Sequence, residues 1–457
     1  MSDDQGFWSI GAYGNSEVKT PNLDKLASNG IRFDECFCVS PVCSPARASF
    51  MTGRIPSQHG VHDWLCGGDT YDEKLEPSGQ GKVLEYLQGM TGYVDVLAKA
   101  GYVCGLSGKW HLGDSHHPQK GFEFWKTHAT GGGPYYNAPM TNGDDVTFTD
   151  DYVTNVITDN ALAFLDECND DAPFCLNVHY TAPHSPWNRD NHPTQIWDKY
   201  HDECPFESAP KGITPPPWFE LLRIPVEDDV TRRKHLSGYY AAIQEMDRNI
   251  GRLIEKLEMD GKLDDTIVCF TSDNGMCMGH HGLYGKGNAT YPLNMYEESI
   301  KVPLVISYPK GMATNVEVDA LISHYDFMPT ILNYLELDTP SGLPGISFAN
   351  VLRGDNDTQR DRIVIFDEYG PVRMIRTKGW KLILRRSEVK DELYDLKNDA
   401  KEAENLIDDP KYADVVSKLK SELIEWFDRF ATPGMDGWFT NVRGDGQVGK
   451  MPDSTFR

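Results

Sequence analysis

Amphipathic helix patterns alternate with short, apolar, β-rich runs through most of this 457-residue chain. Apolar residues recur at helical spacing over 153–165, and residues 174–180 then have the composition of a buried strand. The same order repeats where the helical pattern of 235–259 is followed by the strand pattern of 266–271. Helices and strands in alternation predict an α/β fold with a mostly parallel central sheet covered on both faces.

After about residue 360 the pattern changes to short strands joined by tight turns. Strands are predicted at 363–369, 372–377, 380–385 and 392–396, and a helix at 412–430 follows them. We therefore expect two domains. The first is a large α/β domain over 1–360, and the second is a C-terminal subdomain over 361–457 with a smaller antiparallel sheet packed with a helix.

The charge balance limits the partners of this chain. It carries 69 acidic and 44 basic residues, a formal charge of −25, which argues against sequence-independent binding to nucleic acid. We find no run of eighteen apolar residues that predicts a membrane span, and the first residues lack the basic-then-apolar order of a signal peptide. We expect no membrane partner and a cytoplasmic protein as the chain stands, or a periplasmic or secreted one if its N-terminus is truncated.

Two segments have the composition of long loops. Residues 121–145 include three consecutive glycines followed by Pro134, and residues 185–229 include eight prolines and three tryptophans. Loops of this length in a compact α/β domain are usually lids or binding loops, and the alternative is surface padding.

Acidic and amide side chains follow the predicted strands at positions where an open α/β sheet binds ligands. Asp3 and Asp4 begin the chain, and Asp273 and Asn274 come directly after the predicted strand 266–271. Three carboxylates and an amide oxygen form a set of hard ligands suited to Ca²⁺ or Mg²⁺. The alternatives are a turn at Asp273-Asn274-Gly275 and a solvated chain end at Asp3-Asp4.

Cys43 stands at the predicted start of a helix. Ser44-Pro45 is a typical helix beginning and Gly53 a typical end, so Cys43 lies where backbone N–H groups and the helix dipole favour a nucleophile and an anionic substrate. Next to Arg47, its thiol is expected to be acidic and reactive. The alternative is a buried, inert thiol.

The string Cys43-Ser44-Pro45-Ala46-Arg47 resembles the signature of the type I sulfatases, in the alkaline phosphatase superfamily. The cysteine of Cys-x-Pro-x-Arg in that family is oxidised to Cα-formylglycine. Other segments are similar to family motifs and follow the family order: 20–27, 108–113, 182–186, 272–275, 296–299, 302–304 and 392–396. The resemblance implies an alkaline-phosphatase-like α/β/α sandwich and a catalytic domain over 1–360.

The resemblance also implies a site. It implies a divalent cation, Ca²⁺ with Mg²⁺ as the alternative, and these ligands: Asp3, Asp4, Asp273 and Asn274. It implies the following catalytic residues: Cys43, Arg47, Lys109, His111, His184 and Lys286. Cys43 becomes formylglycine through a maturation enzyme, and its hydrate is the nucleophile.

The remaining roles come from the same resemblance. Arg47 and Lys109 stabilise the hydrate and its charge, and His111 acts as base on its second hydroxyl. His184 and Lys286 hold the substrate sulfate and assist the leaving oxygen. Fixed cations suit the charge on the peripheral oxygens of a transferring sulfuryl group, and histidine suits proton transfer near neutral pH.

Non-catalytic interpretations of these residues also stay open. Lys109 and His111 fit a polar rim after the predicted strand 102–107, His184 fits an ordinary loop histidine between prolines, and Lys286 fits a solvated lysine between glycines. We leave His280-His281 out as metal ligands, because adjacent histidines in a loop rarely chelate together.

Two features depart from the family pattern. Sulfatases have a short apolar strand before the paired aspartates, whereas this chain begins almost on the pair, so either that strand is missing or another segment supports Asp3 and Asp4. Ala400 stands where relatives commonly have proline, a change expected to affect one turn.

The sequence thus predicts hydrolysis of a sulfate monoester. The aromatic, proline-rich loops favour a sulfated carbohydrate, with a small aryl sulfate as the alternative. A phosphonate monoester or phosphodiester hydrolase using the same nucleophile, and a catalytically silent sulfate- or glycan-binding protein, are the other candidates. The sugar, the sulfate position and the oligomeric state stay open.

Overall fold

The computed structural model describes residues 1–168, 171–222, 228–355, 365–386 and 389–457. Its strands are β1 (Ile31–Phe37), β2 (Val103–Lys109), β3 (Phe124–His128), β4 (Ala138–Asn142), β5 (Asp145–Thr149), β6 (Phe174–His179), β7 (Glu220–Leu221), β8 (Val268–Thr271), β9 (Cys277–Met278), β10 (Tyr284–Gly285), β11 (Thr290–Tyr291), β12 (Lys301–Ser307), β13 (Val316–Val318), β14 (Ile322–Ser323), β15 (Ile365–Tyr369), β16 (Val372–Arg376), β17 (Trp380–Arg385), β18 (Glu392–Asp395), β19 (Gln447–Val448) and β20 (Thr455–Phe456).

The helices are α1 (Pro21–Ser28), α2 (Cys43–Thr52), α3 (Pro56–His59), α4 (Tyr93–Lys99), α5 (Val153–Glu167), α6 (Thr194–Glu203), α7 (Asp229–Met259), α8 (Glu297–Ile300), α9 (Phe327–Tyr334), α10 (Ala349–Leu352) and α11 (Ala413–Phe430). Among the helices in the described ranges, none combines the length and apolar composition needed to cross a bilayer.

Two five-stranded sheets form the centre of the fold. One has the order β13-β1-β12-β8, with β14 also pairing with β1, and the other has the order β5-β4-β3-β2-β6. The α/β class is confirmed, but the sheets are mixed where the sequence predicts mostly parallel pairing. β2 is parallel to β3 and β6, whereas β12 is antiparallel to β1 and β8. Residues 272–300 connect β8 to β12 with no helix longer than α8, so they lack the crossover that a parallel pair requires.

The first three residues join the two sheets. The Met1 amine donates to the carbonyl of Val178, 2.8 Å away, and the N–H of Ser2 donates to the carbonyl of Thr271 at 2.9 Å. The N–H of Asp3 donates to the carbonyl of Ala182 at 3.0 Å. Backbone pairing of Met1, Ser2 and Asp3 therefore supports the paired aspartates at the carboxyl ends of β6 and β8.

An apolar cavity of about 790 Å³ borders Met1, β6 and β8. Its walls include side chains from the two strands and from α7, and they contain none of the ten predicted site residues. The cavity therefore does not hold the predicted site, although His179 at the end of β6 lies in its wall.

Long amphipathic helices cover the sheets, largely as their apolar spacing predicts. α7 begins six residues before the predicted 235–259, because Asp228 caps it by accepting a hydrogen bond from the Thr231 N–H at 2.7 Å. Ile243 and Met246 on its apolar face are fully buried.

The two segments expected to be loops contain short strands and a helix. Residues 121–145 contain β3 and β4, and β3 continues the sheet beside β2. Residues 185–229 contain α6 and β7, with 223–227 outside the described residues. Trp187 and Trp197 are buried in the core around α7, whereas Trp218 of the same segment is 43% exposed.

The C-terminal sheet is an antiparallel meander with the order β15-β16-β17-β18, and α11 packs on β16 and β17. The predicted division between residues 360 and 361 lies outside the described residues, as does the predicted strand start at 363. One hydrophobic cluster runs from β1 and β12 into β15 and β16. The small sheet therefore shares a core with the large one, and the domain boundary stays a prediction.

Buried neutral histidines make stability depend on pH. Burial lowers the pKa of His62, His192 and His324 to about 4. The unfolded chain binds protons at these sites below about pH 6.5 while the folded chain does not, so stability falls as pH falls from 7 towards 4. Burial raises the pKa of Asp247 to about 6. This carboxyl therefore has the opposite effect and increases stability as pH falls.

We expect the free energy of unfolding to decrease between pH 7 and pH 5 by about 2 kcal/mol for each such histidine. Urea unfolding at both pH values measures the decrease, and His192→Gln should reduce it by one histidine's share. A free energy that stays constant over this interval would contradict the expectation.

Candidate active site

Cys43 lies at the point where α2 meets the predicted metal ligands. It is the first residue of α2, after the N-cap residue Val42 in extended conformation. Its Sγ lies 3.4 Å from Oδ1 of Asp3 and 3.8 Å from Oδ1 of Asp4. The Lys286 ammonium donates to the same sulfur at 2.7 Å. The helix therefore places one side chain within reach of both carboxylates and a basic group.

The Cys43 thiol is not acidic, contrary to the sequence-based expectation. Burial and the Asp3 carboxylate raise its pKa above the usual value, and Lys109 and Lys286 offset this only in part. The Arg47 guanidinium is directed at other partners, because it donates to Asp273 at 2.9 Å and to the carbonyl of Lys109 at 3.1 Å. As an unmodified cysteine, residue 43 is a protonated, buried group near neutral pH.

The four predicted metal ligands meet in one buried cluster. The Asp4 N–H donates to Oδ1 of Asp273 at 3.1 Å, and the Asn274 amide donates to Oδ1 of Asp4 at 2.9 Å. Asn274 Oδ1 is buried and accepts no hydrogen bond in the described part of the chain. A buried amide oxygen without a donor, beside three carboxylates, fits a hard divalent cation.

Three basic side chains balance the three carboxylates. Lys109 donates to Oδ2 of Asp3 at 2.6 Å, Arg47 pairs with Asp273, and Lys286 pairs with Asp4. Burial favours the neutral form of Asp4, but Lys286 outweighs it and holds the Asp4 pKa below its usual value. The cluster is neutral in formal charge, so a bound divalent cation would leave the pocket positive for an anionic ester. The positive charge would be confined to this pocket, on a protein that is acidic overall.

His111 follows β2 and has a free ring nitrogen. Its Nε2 lies 3.0 Å from the carbonyl of Leu65, which can only accept, so Nε2 carries the proton. Nδ1 is buried and has no hydrogen-bond partner among the described residues. Burial, and secondarily Lys109, lowers the pKa of His111 well below its usual range. The ring therefore presents a neutral nitrogen that can accept a proton.

His184 lies on the more open side of the cluster. Its Nδ1 donates to the carbonyl of Ser185 at 2.7 Å, and its Nε2 is 3.6 Å from Oδ2 of Asp4. The side chain is 28% exposed, in contrast to the buried Lys109 and Arg47. The His184 side chain is therefore partly open to solvent.

The structure brings all ten predicted site residues together and adds others that sequence reasoning missed. His179 donates from Nδ1 to the carbonyl of Lys109 at 3.1 Å, and His128 pairs with Lys109 in the register of β2 and β3. Both histidines are the last residues of their strands. The strand-end rule that selected Asp273 could have found His179 near the end of the predicted strand 174–180, and it would have found His128 had β3 been predicted.

His281, outside the predicted site, lies near Glu298 and Glu402 in a second cluster of possible ligands. Its Nε2 is 2.8 Å from Glu298, and the Lys381 ammonium is 2.6 Å from Glu402. Lys381 supplies the positive charge that this acidic cluster requires, so we assign no metal there.

Comparison with known proteins places this geometry in a family. The sequence profile described as Sulfatase matches residues 1–337. The chain belongs to the sulfatase family. It is a sulfuric ester hydrolase, and the predicted alkaline-phosphatase-like α/β fold is confirmed. A second sulfatase profile, described as N-sulphoglucosamine sulphohydrolase, C-terminal, matches residues 279–428.

Individual sulfatases resemble the chain over most of its length. An N-acetylglucosamine-6-O-sulfatase of Bacteroides thetaiotaomicron is 28% identical over 93% of this chain and 84% of its own. The uncharacterized sulfatase YidJ of Escherichia coli is 31% identical over 95% of this chain and 87% of its own. A structure solved with its substrate D-glucosamine-2-N,6-O-disulfate superposes with a TM-score of 0.79, at 25% identity, over 94% of this chain and 97% of its own.

Proposed function

We propose that this sulfatase hydrolyses a sulfate ester of a carbohydrate, with Cys43 converted to Cα-formylglycine and a Ca²⁺ ion, or alternatively Mg²⁺, in the acidic cluster. The observation that carries the mechanism is the convergence of Asp3, Asp4 and Lys286 on Cys43 Sγ at the start of α2. Support for a carbohydrate comes from the relative named for a 6-O-sulfated amino sugar and from the neighbour bound to a glucosamine disulfate.

The candidate cation ligands fit the proposed metal. Asp3, Asp4 and Asp273 provide carboxylate oxygens, and Asn274 provides the buried amide oxygen without a donor. A bound cation would supply positive charge for the oxygens of the sulfate group. Lys109 and Arg47 are held against Asp3 and Asp273, which fixes their charges before substrate arrives. Charges fixed in this way stabilise a developing negative charge without further reorganisation.

The proposed nucleophile requires a base and an acid. The formylglycine hydrate would supply one hydroxyl to attack sulfur and a second through which sulfate can be expelled. His111 is suited to the base role, because Leu65 fixes the proton on Nε2 and leaves Nδ1 with a lone pair. His184 is suited to the acid role in its doubly protonated form, in which Ser185 holds the Nδ1–H and the Nε2–H, beside Asp4, is the proton available to the leaving oxygen. Lys286, beside residue 43, would hold the sulfate.

The acid role of His184 makes a prediction about leaving groups. His184→Ala should lower kcat/KM for a sugar sulfate by roughly 10²–10³-fold, because an alkoxide needs a proton as it leaves. The loss on p-nitrophenyl sulfate should be less than about tenfold, because nitrophenolate leaves without a proton. Equal losses on both substrates would leave His184 a role in sulfate binding only. The control is His201→Ala, which removes a histidine of α6 in place of His184, and it should leave both rates unchanged.

A substrate panel tests the proposed class. Defined sulfated saccharides are compared with p-nitrophenyl sulfate and bis-p-nitrophenyl phosphate. We expect the highest kcat/KM on one of the saccharides. Preference for the phosphate diester would favour the phosphodiesterase alternative, and preference for the aryl sulfate would favour an arylsulfatase.

A further inference from the structure

Two glycines lie against the two histidines that the proposed mechanism uses. Gly131 and Gly132, here called the glycine pair, follow β3 and precede Gly133. A Cβ atom placed on Gly131 would overlap Cε1 and Nε2 of His111 and lie 2.7 Å from its Cδ2. A Cβ atom on Gly132 would lie 3.2 Å from Cε1 of His184. Each backbone position therefore touches one imidazole ring.

Close approach, and not backbone conformation, explains glycine at these positions. Neither Gly131 nor Gly132 has a positive φ, so an L-residue could adopt either conformation. What an L-residue would add is a Cβ atom, and at Gly131 that atom would occupy the space of the His111 ring. Gly133 provides a contrast, because its Cβ would lie 3.5 Å from Cε1 of His128, an ordinary van der Waals distance.

The segment around the glycine pair is anchored on both sides. The Ala129 N–H donates to the carbonyl of Pro139 at 2.9 Å, and the Thr130 hydroxyl donates to the carbonyl of Gly132 at 3.0 Å. Tyr135 donates from its hydroxyl to the carbonyl of His184 at 2.8 Å. Because of these anchors, a side chain at position 131 would displace the ring before it displaced the backbone.

The His111 ring has little freedom to move. Leu65 accepts the proton of its Nε2 at 3.0 Å, and Gly131 lies against the same edge of the ring. A group inserted at Gly131 would push Nε2 away from Leu65 and release the fixed proton. Nδ1 would then lose both its position and its defined lone pair.

We propose that the glycine pair positions the two imidazoles: Gly131 holds His111 against Leu65, and Gly132 sets the placement of His184. Both are positioning residues, since they act through the histidines. The proposal rests on the proposed function for the roles of His111 and His184, but the ring positions themselves are independent of it.

The test compares alanine at three successive glycines. Gly131→Ala should lower kcat by roughly 10²-fold on both a sugar sulfate and p-nitrophenyl sulfate, because a displacement of about 1 Å at a reacting group has this effect. KM should change by less than about threefold, since sulfate binding does not involve Gly131.

Gly132→Ala should lower the rate on the sugar sulfate by about tenfold and the rate on p-nitrophenyl sulfate much less, because His184 donates to the leaving oxygen. Gly133→Ala is the matched control and should retain activity within about twofold.

A crystal structure of Gly131→Ala gives a readout that does not depend on activity. We expect Nε2 of His111 to leave hydrogen-bond distance of Leu65 while the melting temperature stays near that of the parent protein. A ring still 3.0 Å from Leu65, or a Gly131→Ala rate equal to that of Gly133→Ala, would overturn the proposal. If the parent protein hydrolyses no sulfate ester, the proposed function fails, and the ring position in the variant still decides the role of Gly131.

Discussion

Cys43→Ala is expected to abolish turnover while leaving the protein folded. The proposed nucleophile is lost outright, so kcat should fall by roughly 10⁴–10⁶-fold. The fold should survive, because residue 43 is one small buried side chain at the end of a helix that is otherwise unchanged. Hydrolysis of a sulfated saccharide and the melting temperature are measured on the same preparation.

The control for Cys43→Ala removes a different buried thiol. Cys104 lies in β2, fully buried and remote from the candidate nucleophile in sequence. Cys104→Ala should retain activity within a few-fold at a stability cost of about 1 kcal/mol. Equal activity in the two variants would mean that residue 43 is not the nucleophile.

Removal of the divalent cation is expected to have the second largest effect. Dialysis against a chelator should abolish turnover, and added Ca²⁺ should restore it. Binding to the folded state alone stabilises a protein by about 2.7 kcal/mol when the ion is at 100 times its Kd, so the chelated protein should also melt earlier. The protein should still fold without the ion, because Lys109, Arg47 and Lys286 neutralise the three carboxylates.

A variant of Asp273 separates the metal from other effects of the chelator. Asp273→Asn removes a charged candidate ligand, so the melting temperature should no longer respond to Ca²⁺, although Arg47 also loses its pairing with this carboxylate. Asp265→Asn changes an exposed aspartate paired with Lys310 before β8 and should respond to Ca²⁺ like the parent protein. Unchanged Ca²⁺ affinity in Asp273→Asn would remove this carboxylate from the metal site.

Strand-end positions and the α2 boundaries could be predicted from the sequence. Helix α2 begins at Cys43 and ends before Gly53, which adopts a φ of 65° as a C-terminal cap. Asp273 follows β8 and Lys109 ends β2, so the rule that ligands bind beyond strand ends selected side chains that lie close together in the structure. These features depend on local sequence, which is why they are readable without a structure.

Long-range pairing and burial could not be predicted in the same way. The antiparallel pairing of β1 with β12 joins residues such as Phe33 and Leu304, far apart in the sequence. β3 and β4 lie in a segment rich in glycine and aromatic residues, and they become strands through the pairing of β3 with β2 and of β4 with β3 and β5. The thiol of Cys43 has a raised pKa because the fold buries it beside Asp3. The sequence around Cys43 does not show that Asp3 is its neighbour.

The proposed mechanism requires an aldehyde at residue 43, because only its hydrate has a second hydroxyl through which the sulfated intermediate can expel sulfate. The most direct test expresses the protein with and without a formylglycine-generating enzyme and quantifies residue 43 by peptide mass spectrometry. Conversion of the thiol to the aldehyde lowers the peptide mass by about 18 Da. We expect turnover to be proportional to the converted fraction and absent from unconverted protein. Full activity in protein whose residue 43 is entirely unmodified cysteine would contradict the mechanism.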